Sequence, residues 1–209
     1  MEIIKPYYVI ETDIETDPDL ILKNLEKYGR TAYKSEDKIT PDSAKKFIAG
    51  IIKSGHESVI EHESLTVRFI CDRGVTHEIV RHRIASYTQE STRFCNYSKK
   101  GVTFIKPCFW DEHSVEYMYW MDTMICAEDN YNKLIDMGAT PQQARSVLPN
   151  SLKTEIVCTY NLREWRHFMK LRTAKSAHPQ MRELTIPLLK ELKSKIPIIF
   201  DDIEPYEGV

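Results

Sequence analysis

The 209-residue sequence predicts an α+β fold, in which a mostly antiparallel sheet is flanked by helices within one domain, residues 1–209. Segments whose apolar residues recur at helical spacing outnumber the segments in which apolar and polar residues alternate. The few predicted strands are not joined by regularly alternating helices, which disfavours a doubly wound parallel sheet. The apolar content of 42% is sufficient for a hydrophobic core.

The N-terminal quarter of the chain predicts one strand followed by two helices. Residues 1–11 are interpreted as a strand. Residues 17–30 carry leucines at helical spacing and predict a helix that ends near a glycine. The next helix begins with Thr40 as its cap and Pro41 at the first helical position, and its apolar face stops at Gly55.

The middle of the chain predicts a strand, a helix, a loop and a long helix. Residues 64–71 alternate apolar and polar side chains, which is typical of a half-buried strand. Asp72 can cap a helix over 73–82, whose inner stripe includes His82, and the polar segment after it is predicted to be a loop. Residues 111–137 predict a long helix rich in Tyr, Trp and Met.

The last third of the chain predicts a strand between helices. Thr140 precedes a proline and starts a short helix. Residues 153–160 are interpreted as a strand. Asn161, with a glutamate three residues later, resembles the capping box at the start of a helix that runs to residue 172. The final helix is expected over 179–193, bent or broken near Pro187.

Composition excludes several classes of protein. The formal net charge of -2 argues against a protein that coats nucleic acid, since such proteins are strongly basic. No apolar run approaches the roughly 20 residues that cross a bilayer, and the N-terminus lacks a signal-peptide pattern. Five cysteines without a CxxC pair predict reduced thiols and no zinc ribbon. We therefore expect a cytoplasmic protein without a nucleic-acid or membrane partner.

The segment from Arg81 to Arg93, RHRIASYTQESTR, is the first candidate site. It concentrates three guanidinium groups and a histidine in a slightly acidic protein. Guanidinium groups bind phosphate oxygens bidentately, and hydroxyl or amide side chains add selectivity. Three arginines close together in a sequence, taken alone, more often form a solvated charged turn than a binding site. The presence of Ser86, Gln89 and Ser91 among them, with few acidic neighbours, favours a site.

The second candidate is the predicted helix 161–172. Its apolar stripe includes Trp165, and Arg172 lies seven residues later and continues that stripe. An inward-facing arginine requires a partner, so this residue forms either a structural ion pair or a cation aimed into a pocket. The two possibilities carry equal weight at this point. Arg163 and His167 lie one turn apart on another face.

The remaining sequence patterns limit the kinds of ligand and of catalysis that the chain can support. The segment GHESVIEH after the second helix can form a ligand loop, although capping is the commoner role for any single residue there. Histidines lack metal-ligand spacing, so no metal is predicted. Seven glycines without a phosphate-binding motif mean that a nucleotide would be held by side chains. No serine or cysteine has the context of a covalent nucleophile.

Taken together, these segments resemble the flavin-dependent thymidylate synthases. The signature of that family is Arg-His-Arg, seven arbitrary residues, then Ser. Here Arg81, His82 and Arg83 are followed by Ser91 at that spacing, with Arg93 in the expected place. The resemblance covers most of the chain and includes the segments HESVIEH, ARSVLP and NLREWRHFMKLR.

The resemblance implies an α+β subunit that assembles as a homotetramer, with FAD and dUMP sites built from several subunits. It implies reductive methylation of dUMP to dTMP. The co-substrates would be methylenetetrahydrofolate, which donates the one-carbon unit, and NADPH or NADH, which reduces the flavin. The flavin would deliver the hydride.

The resemblance also implies residue roles. The residues expected at FAD are Ser35, His56, Ser58, Arg81, His82, Arg83, Gln89, Asn161, Arg163 and His167. The residues expected at dUMP are Glu78, Arg81, Gln89, Glu90, Ser91, Arg93, Arg145 and Arg172. Arg172 is the expected catalytic residue, because a cation beside the uracil ring favours its N3-ionised form.

Three positions depart from the usual family pattern. Gln89 stands where many members have Glu, although Glu90 follows it; Glu78 is often Gln, and His167 stands where Asn is also found. Two other functions stay open. One is a nucleotide- or RNA-sensing module that stacks bases on aromatic residues, which the acidic charge and the inward Arg172 disfavour. The other is a different flavin or nucleotide enzyme on the same fold.

Overall fold

A computed structural model describes residues 1–14 and 19–208. The helices α1 to α7 are Leu20–Thr31, Ser43–Lys53, Arg73–Ile79, Val115–Asp136, Pro141–Ala144, Leu162–Arg172 and Pro179–Lys195. The strands β1 to β6 are Glu2–Ile4, Tyr7–Ile10, Ser64–Asp72, Ala85–Gln89, Thr103–Ile105 and Lys153–Asn161. In the described part of the chain, no helix combines enough length with enough apolar residues to span a bilayer.

The chain divides into two compact units. The first unit comprises Met1–Tyr8, Arg68–Arg81 and Tyr87–Val157. The second unit comprises Val9–Val67, His82–Ser86 and Cys158–Val209. Helices α3, α4 and α5 belong to the first unit, and α1, α2, α6 and α7 belong to the second.

A four-stranded sheet in the order β2-β3-β6-β4 confirms the predicted α+β class. Strands β3 and β6 run antiparallel, since Thr66 faces Thr159 through a 2.8 Å contact between their hydroxyls, while Glu63 accepts from the amide of Leu162. The strand predicted over 64–71 is therefore correct.

The strand predicted over residues 1–11 is in fact two strands. Pro6 separates β1 from β2, because proline has no N–H to donate to a sheet ladder. Strand β1 pairs in parallel with β5, where Ile3 faces Phe104, in a sheet of its own. Strand β5 was not predicted from the sequence, because three residues are too few to show a pattern.

The helix predicted over 73–82 is too long at its C-terminal end. Helix α3 stops at Ile79, and His82 lies beyond it, so His82 is not part of the helical stripe. The loop predicted after it contains strand β4, Ala85–Gln89. Polar residues dominate β4, which is an edge strand, so its conformation depends on pairing with the sheet and not on its own pattern.

Two glycines explain where helices α2 and α4 end. Gly55 adopts a φ of 71° just after α2 and Gly138 a φ of 91° just after α4, the left-handed conformation that ends many helices. Gly29 does not end α1, which continues to Thr31. It lies inside the helix, where a Cβ would be 2.7 Å from the ring of Phe47, so the glycine permits close packing.

Of the two predicted alternatives near Pro187, a bend or a break, the break is wrong, because helix α7 is continuous there. A proline inside a helix removes one backbone hydrogen bond. Residues on both sides of it are buried, among them Leu184, Leu188 and Leu192. Tertiary burial therefore offsets the local cost of the proline.

The first unit has a core between α4 and its neighbours. The buried side chains of this core are Val102, Phe104, Met124, Ala127, Tyr131, Ala144 and Leu152. Ser114 caps α4 by accepting from the amide of Tyr117 at 3.2 Å, so the helix begins four residues later than predicted. Thr140 and Gln143 form the capping box that starts α5.

The second unit is organised around α6. Trp165 and Phe168 are fully buried, and the indole of Trp165 donates to the carbonyl of Leu65 at 3.0 Å. Asn161 caps the helix by accepting from the amide of Glu164 at 2.9 Å, which confirms the predicted start. These contacts fix the rotation of α6 about its axis, and so decide where its polar side chains lie.

A buried arginine adds an ionic contact to this unit. Arg166 is 1% exposed, and its guanidinium donates to both carboxylate oxygens of Asp202, at 2.6 and 2.8 Å. Its Nε donates to Glu57 at 3.0 Å, and the carbonyl of Ile199 accepts a further bond. The charge is tolerated in the interior because its donors have these acceptors.

Replacing Asp202 with alanine is expected to lower the free energy of unfolding by about 1–3 kcal/mol, because Arg166 loses a bidentate partner. A urea titration at constant protein concentration measures the change. The control is Glu204→Ala, which removes a carboxylate that is 83% exposed and lies 3.4 Å from Lys193. An equal fall of the unfolding midpoint in both variants would contradict the stabilising role of Asp202.

Candidate active site

The Arg-His-Arg motif places its three side chains in two different environments. His82 is 4% exposed, whereas Arg81 and Arg83 are exposed. In the part of the chain that the structure describes, neither guanidinium contacts a carboxylate. The motif therefore presents two solvated cations beside a buried imidazole.

Both ring nitrogens of His82 contact side chains of α6. Nδ1 lies 2.9 Å from Oε1 of Glu164, and Nε2 accepts from Nε of Arg172 at 3.1 Å. The ring of Phe168 packs edge-on against the imidazole, with ring centroids 4.8 Å apart. Arg172 is half-buried, so the prediction that it faces inward is confirmed, and its partner is a histidine.

The His82 ring is held neutral. Burial lowers the pKa of His82 below its ordinary value of 6.5, and the Arg172 charge lowers it further. The hydrogen bond that Glu164 accepts from the ring raises the pKa of His82, but its effect is smaller than that of burial. A neutral ring is also required by the contact with Arg172, since an imidazolium has no lone pair to accept a hydrogen bond.

One cluster has the composition of a metal site. The ligand atoms of His82, Glu164 and His167 lie within 4.8 Å of one another. Both nitrogens of His82 are already engaged, however, and the guanidinium of Arg172 adjoins the ring. A cation there would meet a fixed positive charge, so the arrangement favours an organic ligand over a metal ion.

A cavity of about 530 Å³ opens in the second unit. Its lining comprises Glu57, Glu61, Ile84, Asn161, Arg163, Glu164, Arg166, His167 and Lys170. Three of the predicted FAD residues thus share one cavity: Asn161, Arg163 and His167. Arg163 donates to Glu61 at 2.6 Å, lies 3.8 Å from Glu57 and is 52% exposed, so its guanidinium is accessible and held only by weak surface pairs.

The other residues predicted to bind FAD in this unit do not line that cavity. Ser58 is exposed on the short 3-10 helix Glu57–His62, where the sequence predicted a loop, and His56 is exposed just before it. Ser35 is half-buried at the start of another short 3-10 turn. Their assignment to FAD stays a prediction.

In the first unit, two arginines distant in the sequence each bond to the segment that carries the other. Arg145 donates from Nη1 to the hydroxyl of Thr92 at 3.1 Å, and Arg93 donates from Nε to Gln142 at 3.1 Å. The amide of Arg93 also lies 3.2 Å from the Ser91 hydroxyl. Neither guanidinium contacts a carboxylate within residues 1–14 and 19–208. Two exposed cations beside a serine form a suitable place for a phosphate.

Gln89 and Glu90 border a separate cavity of about 810 Å³ in the first unit. Gln89 donates to the hydroxyl of Thr76 at 3.0 Å. Glu90 accepts from Tyr97 at 2.8 Å and from Lys153 at 3.1 Å. Burial and the Glu90 carboxylate raise the pKa of Tyr97, so this phenol stays protonated and donates. Glu90 is thus held by its own neighbours.

The last predicted substrate residue, Glu78, is half-buried near the end of α3. Its carbonyl accepts from the amide of Arg81 at 3.2 Å. This bond closes the turn that leads from the helix into the Arg-His-Arg motif. The assignment of the Glu78 carboxylate to dUMP stays a prediction.

The sequence did not reveal the role of Glu164, which it placed only in a capping box. Its carboxylate instead contacts His82, 82 positions earlier in the chain. One available signal was its position about two helical turns before Arg172. Thr92 and Gln142 were also missed, because neither carries a charge or belongs to a motif.

Comparison with known proteins adds the family context. Residues 17–198 match the family described as thymidylate synthase complementing protein. The flavin-dependent thymidylate synthase of Pyrococcus furiosus is 35% identical over 181 residues, 85% of this chain and 72% of the relative. The enzyme of that name from Mycobacteroides abscessus is 33% identical, over 97% of this chain and 88% of the relative.

A solved structure shows the same fold. The UMP/dUMP methylase PolB from Streptomyces cacaoi, bound with 5-Br dUMP, superposes with a TM-score of 0.76. The superposition covers 96% of both chains at 22% sequence identity. At that identity the likeness concerns the fold alone.

We predict that the stability of the protein falls as the pH drops below about 6.5, partly because of His82. Below this pH the His82 imidazole of the unfolded chain binds a proton, whereas the buried ring of the folded chain stays neutral. The contribution of His82 to the free energy of unfolding is therefore fully present above this pH and is lost as the pH falls towards the lower pKa of the folded state. Thermal unfolding between about pH 5 and pH 7 measures the slope. The variant His82→Gln should show a shallower slope. An unchanged slope would assign the effect to other histidines.

Proposed function

This chain belongs to the flavin-dependent thymidylate synthase family, and we propose that it converts dUMP to dTMP by reductive methylation. The observation that carries the proposal is that Arg93 and Arg145, 52 positions apart in the sequence, each bond to the segment that carries the other and have no neutralising carboxylate among the described residues. Exposed guanidinium groups that are not paired with acids are available to an anion.

The dUMP phosphate would be held by these two arginines and by Ser91. Guanidinium groups supply charge and several donors, while the serine hydroxyl adds a neutral donor. The neighbouring Gln89 and Glu90 support the same loop through Thr76, Tyr97 and Lys153. They would act mainly by holding the loop in place.

Arg172 would meet the uracil ring and stabilise its N3-ionised form. The side chain is half-buried, and its Nε is tied to His82, so the plane of the guanidinium is oriented before the ligand arrives. A preoriented cation stabilises a developing negative charge without reorganisation at the moment of reaction.

FAD would occupy the cavity of the second unit. Arg163, His167 and Lys170 line it with nitrogen donors, and its size allows part of a dinucleotide to enter. The pyrophosphate would replace Glu61 as the partner of Arg163, a surface pair that costs little to break. Arg83, which is exposed in the same unit, would be a further donor for this cofactor, while the assignment of Arg81 to FAD rests on the family resemblance.

FAD, when bound, would supply the hydride chemistry, with NADPH or NADH as its reductant and methylenetetrahydrofolate as the one-carbon donor. The residues of the chain bind, orient and polarise. Burial raises the pKa of the Cys158 thiol to about 12, so this cysteine stays protonated and is unsuited to attack the pyrimidine.

We also propose that the enzyme is a cytoplasmic homotetramer whose sites draw on several subunits. The exposed apolar residues of α4 support an association: Val115, Met118, Tyr119 and Ile125. A surface of this kind on one helix suits a protein partner better than water.

Replacing Arg93 or Arg145 with alanine is expected to weaken dUMP binding by roughly 1.5–3 kcal/mol, the worth of a charge-assisted hydrogen bond. Isothermal titration with dUMP measures the affinity. The control is Lys53→Ala, which removes an exposed cation from the last turn of α2. Affinity that is unchanged in both arginine variants would remove the phosphate-binding role.

The unaltered enzyme is expected to release tritium from C5-labelled dUMP only when methylenetetrahydrofolate and NADPH are both supplied. Arg172→Ala should lower that rate by about 10²–10³-fold, because it removes the charge beside the uracil ring. The far-UV spectrum should stay unchanged, which separates lost chemistry from lost folding.

A yellow preparation with flavin absorbance supports the same proposal. A protein that takes up no added FAD and binds oligonucleotides would instead be a nucleic-acid-sensing module. Near-normal turnover in Arg172→Ala would show that this arginine has no part in the chemistry.

A further inference from the structure

We propose that Glu164 is a positioning residue of this enzyme, which acts through His82 to orient the guanidinium of Arg172 towards the uracil ring. The inference rests on the proposed function, which supplies the role of Arg172. Glu164 is absent from the residues that the family resemblance places at FAD or dUMP. It is therefore an additional residue of the site, which acts on Arg172 through His82.

The two contacts of the His82 ring agree on a single tautomer. A guanidinium nitrogen is always a donor, so the 3.1 Å contact from Nε of Arg172 requires Nε2 of His82 to accept. The one proton of the neutral ring then lies on Nδ1. Oε1 of Glu164, 2.9 Å from Nδ1, accepts a hydrogen bond from this N–H, because an ionised carboxylate is only an acceptor.

Burial makes this contact hard to replace. Glu164 is 8% exposed and His82 is 4% exposed, and the ring of Phe168 lies edge-on at 4.8 Å from the imidazole. Water has little access to Nδ1, and the ring has little room to turn. Glu164 and Arg172 both belong to α6, so one rigid helix presents both partners of the ring.

Without the Glu164 carboxylate, the ring proton of His82 is no longer held on Nδ1 and can occupy Nε2 instead. In the other tautomer Nε2–H of His82 would face Nε–H of Arg172, and two donors repel each other. The guanidinium would then turn away from its present orientation. A displacement of about 1 Å at a reacting group can cost about 10²-fold in rate.

A purely structural role makes a different prediction. Glu164 is an acidic residue in the first turn of α6, where its negative charge interacts favourably with the positive end of the helix dipole. In that case the charge matters and the acceptor oxygen does not. Glu164→Gln, which keeps an oxygen acceptor without the charge, and Glu164→Leu, which removes both, distinguish the two roles.

We expect Glu164→Gln to keep kcat within about threefold of the unaltered enzyme, since its amide oxygen still accepts from Nδ1–H. Glu164→Leu should lower kcat by about 10- to 100-fold, the range seen when a supporting hydrogen-bond partner is lost. The KM for dUMP should change less than kcat. The control is Glu191→Leu, the same exchange in α7 at a residue paired with Lys195, which should leave kcat unchanged.

The tautomer is read directly by nuclear magnetic resonance of protein labelled with ¹⁵N-histidine. The His82 ring should carry its proton on Nδ1 in the unaltered protein and in Glu164→Gln, and shift towards Nε2–H in Glu164→Leu. If the leucine variant does not fold, Glu164→Ala with added formate takes its place, and formate should restore kcat by accepting from Nδ1–H.

Three results would overturn the inference: unchanged kcat in Glu164→Leu, an equal loss in both the leucine and glutamine variants, or an unmoved ring proton in Glu164→Leu. Failure of formate to restore the alanine variant has the same meaning. Absence of tritium release from the unaltered enzyme instead overturns the proposed function, while the ring spectra still decide whether Glu164 sets the tautomer.

Discussion

His82 can hold the Arg172 guanidinium only while its Nε2 carries no proton, and the second unit is built to maintain that state. Burial disfavours the charged ring, and Glu164 accepts a hydrogen bond from the proton that Nδ1, the opposite ring nitrogen, carries. Phe168 limits the rotation of the ring. The orientation of one cation thus depends on a polar contact, an aromatic contact and the exclusion of water, all set by the packing of α6.

The first unit contains cations in two opposite situations. In the first unit Lys153 lies 3.1 Å from Glu90 and 2.6 Å from Glu155, and this neutralised pair borders the larger cavity. Arg93 and Arg145, by contrast, bond only to neutral side chains among the described residues. A solvated cation without an acidic partner costs the fold little, because water satisfies it. Its interaction energy is retained for an anionic ligand.

Sequence patterns predicted those elements whose stability is mostly local. The periodicity and caps of α2, α5 and α6 identified these helices, because a cap and a helical face involve residues within a few positions. Strand β4 and the pairing of β1 with β5 were not predicted, since their short and polar segments acquire a conformation only when a partner strand is present. Pro187 shows the same limit, because burial of α7 outweighs the local effect of proline.

By itself, the sequence determined the family, the cationic character of the site and the inward position of Arg172, because these follow from residue types at fixed spacing. Only the tertiary structure decided which partners these residues have. Glu164 and His82 are 82 positions apart, and Arg145 and Thr92 are 53 apart. Such contacts depend on how helices and loops pack, and no local spacing encodes that. The tautomer of one imidazole, and with it the orientation of Arg172, is therefore a property of the folded chain.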